Sequence, residues 1–190
     1  MKIHLSPSPA EWATCVCENF DEFLADHAAN ERKASSMAMS LVVHYPDRET
    51  LVREMVDLAL EELNHFKQVV RLMQERKLVM PPDEKDPYVN SLREHVRKGA
   101  DAYFLDRLLV AAVIEARGEE RFRLLAASLQ DEQLSSFYRA LANSEVGHHR
   151  LFLDLALEYF PAREVETRLS EWIGIEQVLI ASLPVRSRLH

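Results

Sequence analysis

The chain has 190 residues, of which 23 are lysine or arginine and 31 are aspartate or glutamate, so its formal charge at neutral pH is −8. That excess of acid argues against non-specific binding to nucleic acids and against docking on an anionic membrane, although it allows a local basic patch. The 4 glycines are too few for a turn-rich all-β protein. Length and composition predict a single domain over residues 1–190.

The sequence also predicts where the protein resides. Its two cysteines, Cys15 and Cys17, are too close together for an ordinary structural disulfide and too few for a disulfide framework, which fits a reducing cytoplasm. No apolar run reaches the roughly 18 residues that a membrane helix needs, and residues 1–8 have no signal-peptide core. We expect a cytoplasmic protein with no membrane partner.

Apolar residues recur at helical spacing along almost the whole chain. Ser8–Glu11 has the pattern of a capping box with proline at the first helical position, and it predicts a helix that runs to about His44 with a break near Asn19. The turn that follows ends at Asp47, which is predicted to cap a second helix ending near Lys77. The later predicted elements are a proline-rich loop over Leu78–Tyr88, a short helix at about Asn90–Lys98, a long helix from about Asp101 to Ser128, a helix capped by Asp131 that runs to Tyr159, a final helix over about Ala162–Ser182, and a basic tail at about 184–190.

The lengths of the connections predict how the long helices are joined. The first and second are joined by a tight turn, and so are the third and fourth, which makes each pair antiparallel. About 23 residues separate the second long helix from the third, enough to return along the length of a bundle. We therefore predict an all-α, ferritin-like four-helix bundle with one long crossover and an extra C-terminal helix.

Each of the four long helices has a core-facing stripe of apolar and aromatic residues that is interrupted near its middle by one glutamate. The four glutamates are Glu31, Glu62, Glu115 and Glu145. An ionised carboxylate buried without a partner costs several kcal/mol, and four in one core would repel each other. The stripes contain no lysine or arginine to neutralise them, so the pattern indicates exposure at a cleft, protonation or a bound cation.

Two histidines favour the bound cation. Glu62 with His65, and Glu145 with His148, form Glu-x-x-His pairs, whose members lie on one face of a helix. A single pair of this kind is a weak signal. In each predicted hairpin, however, the two glutamates lie 15 or 16 residues from the turn. At about 1.5 Å per residue, this spacing puts all four at one level, roughly 22 Å from the turns.

The predicted ligand set is therefore four glutamates and two histidines, with no thiolate. Carboxylate with imidazole suits a dinuclear centre of iron or manganese better than a structural zinc. His27, one turn before Glu31, fits either a hydrogen-bond partner of that ligand or an ordinary core histidine. The small residues beside the ligands fit either a substrate pocket or simple helix propensity; they are Ala34, Ala38, Ala111, Ala112 and Gly118.

Four stretches of the sequence resemble one known family. They are HAANERKASSMAMSLV around Glu31, LALEELNHF around Glu62 and His65, LLVAAVIEARGEERF around Glu115, and SEVGHHRLF around Glu145 and His148. Here, and over essentially the whole chain, the sequence is similar to the tRNA-modifying di-iron hydroxylases often called MiaE, with all six expected ligand positions filled. The resemblance implies two iron ions held by these six residues. It also implies dioxygen-dependent hydroxylation of the isopentenyl group of 2-methylthio-isopentenyl-adenosine, next to the anticodon in tRNA, with electrons from an external reductase system.

Positive charge clusters locally just after Glu115 and in the tail. Such clusters are either solvated helix faces or, if the substrate is RNA, the places where its phosphate backbone docks. The expected contacts to the tRNA anticodon loop are Arg117, Arg121, Arg123, Arg186 and Arg188, with Gly118 at the wall of the substrate pocket.

Two other functions fit the same features less specifically. One is iron storage or peroxide handling of the ferritin or rubrerythrin kind, although the chain has no paired Cys-x-x-Cys motifs for a rubredoxin-type iron site. The other is a metal-free helical interaction module, which a metal assay would separate from the first two. The sequence leaves the oligomeric state open between a monomer and a small oligomer.

Overall fold

A computed structural model describes every residue from Met1 to His190. It has seven helices and no strand. No helix is both long enough and apolar enough to cross a lipid bilayer. The helices are α1 (Glu11–Glu18), α2 (Phe20–His44), α3 (Glu49–Glu75), α4 (Pro87–Glu94), α5 (Ala100–Ser128), α6 (Glu132–Tyr159) and α7 (Ala162–Ser182).

The chain forms two compact units. The α2–α3 unit comprises residues 15–84 and 186–189, and the α5–α6 unit comprises residues 1–14, 85–185 and 190. Each contains one hairpin of two long helices, and in the second unit α7 packs against α4, α5 and α6. The single domain over residues 1–190 stays a prediction.

In the α2–α3 unit, the helices pack along the apolar faces that the sequence predicts. The break near Asn19 is confirmed, since α1 ends one residue before it and α2 begins one residue after it. A buried hydrogen bond joins the two long helices, from Ser35 Oγ to the carbonyl oxygen of Ala59 over 2.9 Å. The prediction that Asp47 caps α3 is wrong, because the residue at the cap position is Arg48.

In the α5–α6 unit, α5 is buried on more than one face. Residues 108–113 are all buried, because both α6 and α7 pack against this helix. The predicted cap of α6 is confirmed: Asp131 Oδ1 accepts hydrogen bonds from the backbone N–H groups of Gln133 and Leu134, over 2.8 and 3.0 Å. The long α5–α6 hairpin therefore forms as the sequence predicts.

Two predicted helix starts are wrong. Ser8 does not begin a helix, since α1 starts at Glu11 and the hydroxyl of Ser8 donates instead to Glu120 Oε2 over 2.7 Å. The short helix α4 lies about three residues earlier than predicted. Its cap is Asp86, whose carboxylate accepts two backbone N–H groups, and Pro87 fills the first helical position.

Candidate metal centre

The α2–α3 unit brings three predicted ligands together. Glu31 extends from α2, and Glu62 and His65 extend from α3, one turn apart. His65 Nδ1 lies 3.6 Å from Glu31 Oε2 and 3.5 Å from Glu62 Oε2. All three side chains are buried, and one ligand atom of each lies within 4.8 Å of the others. These three residues are the α2–α3 triad.

A fourth buried side chain contacts this triad. His27 is 0% exposed and lies one turn before Glu31 on α2. Burial raises the pKa of Glu31, but hydrogen bonds with His27 and His65 lower it more, to about 2. Glu31 is therefore ionised at neutral pH and can only accept, so the Nε2–H of His27 donates to Glu31 Oε1, over 2.6 Å.

The electrostatics of His65 show how the triad would receive a cation. Burial lowers the pKa of His65, but the carboxylates of Glu31 and Glu62 raise it more, to about 10. Two carboxylates thus favour a positive charge at the position of this imidazole. A metal ligand histidine must be deprotonated, so a bound metal ion would take over the role of that proton.

The α5–α6 unit repeats the arrangement. Glu115 extends from α5, and Glu145 and His148 extend from α6. His148 Nδ1 lies 3.0 Å from Glu145 Oε2, all three side chains are buried, and one ligand atom of each lies within 4.8 Å of the others. These residues are the α5–α6 triad. Gly118 lies beside them, because a Cβ atom at that position would come 3.9 Å from Glu145 Cγ.

The donor atoms in each triad fit a metal ion such as iron. Each triad offers two carboxylates and one imidazole, all oxygen and nitrogen donors without thiolate, a set that suits iron or manganese. A divalent cation also relieves the repulsion between two buried carboxylates. The next histidine along α6, His149, contacts a different side chain, with its Nε2 3.0 Å from Glu119 Oε2.

A family model described as tRNA-(MS[2]IO[6]A)-hydroxylase (MiaE) matches residues 1–190. The chain belongs to the MiaE family. The sequence resemblance to this family of tRNA hydroxylases is therefore confirmed, over the full length of the chain.

Two relatives of known name are similar to this MiaE-family chain. A protein of Pseudomonas putida named tRNA 2-(methylsulfanyl)-N(6)-isopentenyladenosine(37) hydroxylase is 36% identical over 184 residues, which cover 97% of this chain and 89% of that protein. A protein of the same name from Salmonella typhimurium is 34% identical over 165 residues, which cover 87% of this chain and 60% of that protein.

The fold of this MiaE-family chain is also found in a solved structure. That structure is described as Protein 43 with aldehyde deformylating oxygenase activity from Synechococcus. The TM-score is 0.95 at 32% sequence identity, and the match covers 100% of this chain and 96% of the other. The prediction of an all-α, ferritin-like fold is confirmed.

Two of the arginines predicted to meet tRNA are not on the surface. Arg117 is 0% exposed, and its guanidinium donates to Glu176 Oε1 over 2.8 Å and to Glu120 Oε2 over 2.9 Å. Arg121 is 5% exposed and lies 4.9 Å from the centre of the Trp12 ring. The expectation of an exposed basic surface at Arg117 and Arg121 is therefore wrong, because α7 and the N-terminal segment cover this part of α5.

The other three predicted arginines differ in their exposure and in their acidic partners. Arg123 is exposed and pairs with an acid one turn away on α5, and Arg186 is exposed on the tail. Arg188 is partly buried and donates to Asp26 Oδ1 over 3.2 Å and to Glu84 Oε2 over 3.0 Å. The tail is thus folded back onto acidic side chains of the α2–α3 unit through Arg188.

Two buried acids that the sequence pattern did not predict fix α5 on either side of Glu115. Asp106 and Glu176 are both 0% exposed. Asp106 binds Arg97 and Arg168, with Arg168 donating to both carboxylate oxygens over 2.8 Å. A signal for Glu176 exists in the sequence, since it lies in the apolar stripe of α7 in the same way as the four glutamates of the triads lie in theirs.

Proposed function

We propose that this chain is an iron-dependent monooxygenase that hydroxylates the isopentenyl group of 2-methylthio-isopentenyl-adenosine, next to the anticodon in tRNA. The observation that carries the proposal is the presence of two buried Glu–Glu–His triads in a member of the MiaE family. We expect the enzyme to work in the cytoplasm, where an external reductase system supplies its electrons.

We assign the two triads to two iron ions that form a dinuclear centre. The support comes from the donor atoms of each triad and from the equal spacing of all four glutamates from the turns. When bound, the iron supplies dioxygen activation: one oxygen atom enters a C–H bond of the substrate, and the other leaves as water with two protons and two external electrons. The proposed ligands are Glu31, Glu62, His65, Glu115, Glu145 and His148.

The chain's own part in this reaction is to hold the ligands, exclude bulk water and make room for the prenyl group. Gly118 has no side chain beside Glu145, and Ala111 is buried one turn before Glu115. We propose that these two small residues form the wall against which the prenyl group lies. The adenine must leave its stacked position first, which costs at most about a few kcal/mol in a single-stranded loop.

We propose exposed arginines of the α5–α6 hairpin as phosphate contacts. Arg139 and Arg150 are exposed on α6, and the exposed positions between them, Ala140, Asn143 and Gly147, carry no acid. Arg123 extends this surface on α5, and Arg186 stays a proposed contact on the tail. A protein of charge −8 needs such a local patch to attract RNA.

The RNA surface is tested by charge reversal. Arg139→Glu together with Arg150→Glu should raise KM for tRNA by roughly tenfold. The slope of the logarithm of the binding constant against the logarithm of salt concentration should become shallower by about 0.7–0.9 for each lost phosphate contact. Hydroxylation of the free nucleoside should not change. Arg163→Glu is the matched control, because Arg163 is exposed on α7. Unchanged tRNA binding in the double variant would show that this surface is wrong.

The proposed reaction is tested with isotopically labelled dioxygen. Purified protein, iron(II), a chemical or enzymatic reductant and tRNA that carries the prenylated base are incubated under the labelled gas. The nucleosides are then analysed by mass spectrometry. We expect the new hydroxyl oxygen to come from the gas. Label that arrives from water, or no hydroxylated nucleoside at all, would overturn the proposal.

One observation favours a second candidate reaction. The Synechococcus protein with a TM-score of 0.95 has aldehyde deformylating oxygenase activity. The same two triads are therefore also a candidate site for oxygen-dependent deformylation of an aldehyde. Incubation with an aldehyde in place of tRNA distinguishes the two, because deformylation shortens the carbon chain by one carbon atom and tRNA hydroxylation does not.

A further inference from the structure

The two triads differ at the position one turn before the first glutamate. In the α2–α3 triad this position is His27, which is completely buried and donates to Glu31 Oε1 over 2.6 Å. In the α5–α6 triad the equivalent position before Glu115 is Ala111, whose methyl side chain has no donor. The sequence repeat thus supplies the same ligands twice but supplies this histidine only once.

We propose that His27 is a positioning residue that holds Glu31 so that a single carboxylate oxygen, Oε2, is presented to the metal. The two oxygens of Glu31 have separate partners: Oε1 accepts from His27, while Oε2 lies 3.6 Å from His65 Nδ1, on the side of the other ligands. This inference rests on one part of the proposed function, the binding of two metal ions, and it does not depend on the substrate.

Geometry explains why the hydrogen bond restricts Glu31. A carboxylate that is free to rotate can bind a metal ion through one oxygen or through both. The N–H of His27 donates to Glu31 Oε1 over 2.6 Å. Rotation of the Glu31 carboxylate, or binding of the metal ion through both of its oxygens, would take the acceptor away from this buried N–H and is therefore opposed. His27 is itself held in place by complete burial.

The proposal predicts that the two metal ions are inequivalent. The ion of the α2–α3 triad has one glutamate fixed from outside the ligand set. The ion of the α5–α6 triad has an alanine at the matching position. Partners of metal ligands typically contribute 10–100-fold to metal affinity. Loss of His27 should therefore weaken one of two binding steps and leave the other unchanged.

The test compares two substitutions of His27 in the full chain. Leucine at this position fills most of the space but has no donor, whereas glutamine keeps an N–H donor. Iron(II) is titrated anaerobically into each protein, and the two dissociation constants and the Mössbauer spectrum are measured. For His27→Leu we expect one constant to rise about 10–100-fold and one of the two iron signals to change. For His27→Gln we expect constants within about threefold of the parent's.

Phe23→Leu is the control for packing, because Phe23 is equally buried beside His27 and does not donate to Glu31. Its melting temperature should fall while both iron constants stay the same. Parental constants in His27→Leu, equal weakening of both steps, or the same weakening in Phe23→Leu would overturn the positioning role. So would a folded His27→Gln protein that binds iron as poorly as His27→Leu.

These outcomes are distinct from failure of the proposed function. If the parent binds two iron ions but hydroxylates no tRNA, the proposed substrate is wrong and the result for His27 stands. If the parent binds no pair of iron ions, both proposals are overturned.

Discussion

The two helical hairpins carry the same three proposed metal ligands but hold them in different ways. In the α2–α3 unit, the support comes from within the ligand helix, since His27 binds Glu31 one turn away. In the α5–α6 unit, the support comes from a different helix. α7 holds α5 through Arg168 on Asp106 and through Glu176 on Arg117, on either side of Glu115.

This difference shows what the repeated pattern specifies and what it leaves to context. A glutamate and a Glu-x-x-His pair at the same distance from the turn specify the three residues of each triad. The rigidity of each triad depends on neighbours that the pattern does not contain. The α2–α3 triad has the His27 donor one turn before Glu31, and the α5–α6 triad has Gly118 beside Glu145 and buried ion pairs further along α5.

The largest expected effect comes from breaking the buried ion pair of the α5–α6 unit. Arg117→Ala removes the arginine partner of the Glu176 carboxyl group, which is 0% exposed. We expect the free energy of unfolding to fall by about 3–5 kcal/mol, measured by denaturant unfolding of the metal-free protein. Arg123→Ala is the control, because it removes an exposed pair worth at most about 1 kcal/mol. A loss in Arg117→Ala no larger than in the control would contradict this account of α5.

The second prediction concerns pH and the other buried acid of this unit. Burial raises the pKa of Asp106, but Arg168 and Arg97 lower it more, so that it lies below its usual range. The ionised form is therefore the stabilising one. We expect Asp106→Asn to cost about 2 kcal/mol at neutral pH. The cost should persist down to about pH 4 and vanish as the pH falls through the lowered pKa.

The free energy of unfolding of the parent and of Asp106→Asn, measured between neutral and acidic pH, tests the direction of this pH dependence. The two curves should converge at the acid end. A difference that grows as the pH falls would mean that the protonated carboxyl is the stabilising form, contrary to the two arginine contacts.

The third prediction compares the small residues next to each triad. Gly118→Leu places bulk against Glu145 and into the proposed prenyl wall, so we expect hydroxylation to slow by about tenfold or more, which is about 1.4 kcal/mol, while iron content stays near the parent's. Ala34 lies three residues after Glu31, as Gly118 does after Glu115, but it is only half-buried. Ala34→Leu should therefore slow the reaction less. An equal loss of hydroxylation rate in both variants would contradict the proposal that the prenyl group lies against the α5–α6 triad.

The smallest effect is expected from Gly118→Ala. The added Cβ would meet Glu145 Cγ at 3.9 Å, an ordinary contact distance. Alanine also favours the helix over glycine by about 0.5–1 kcal/mol. We expect a slightly higher melting temperature with unchanged iron content and rate. A loss of iron would show that even one methyl group disturbs the triad.

The two buried Glu–Glu–His triads and the long helices were predictable, because a glutamate in an apolar stripe is costly and therefore informative. The same reasoning failed for Arg117 and Arg121, since a local cluster of arginines has the same sequence pattern whether it is exposed to solvent or covered by another part of the chain. The burial of Arg117 goes with Glu176 in the core stripe of α7, whereas Arg121 is covered by Trp12 of the N-terminal segment. The start of α4 differs from the prediction because Asp86 and Pro87, which lie in the predicted proline-rich loop, form the N-cap and the first helical position.

The central claim is that each hairpin binds one of two iron ions, and iron stoichiometry tests it most directly. Parent, Glu62→Ala and Glu145→Ala are reconstituted anaerobically with iron(II), desalted and analysed for metal per folded chain. The account predicts about two iron atoms for the parent and a loss of at least one in each variant, because each substitution leaves one triad with only two of its three ligands. A parent that saturates at one iron, or that holds zinc tightly instead, would contradict it.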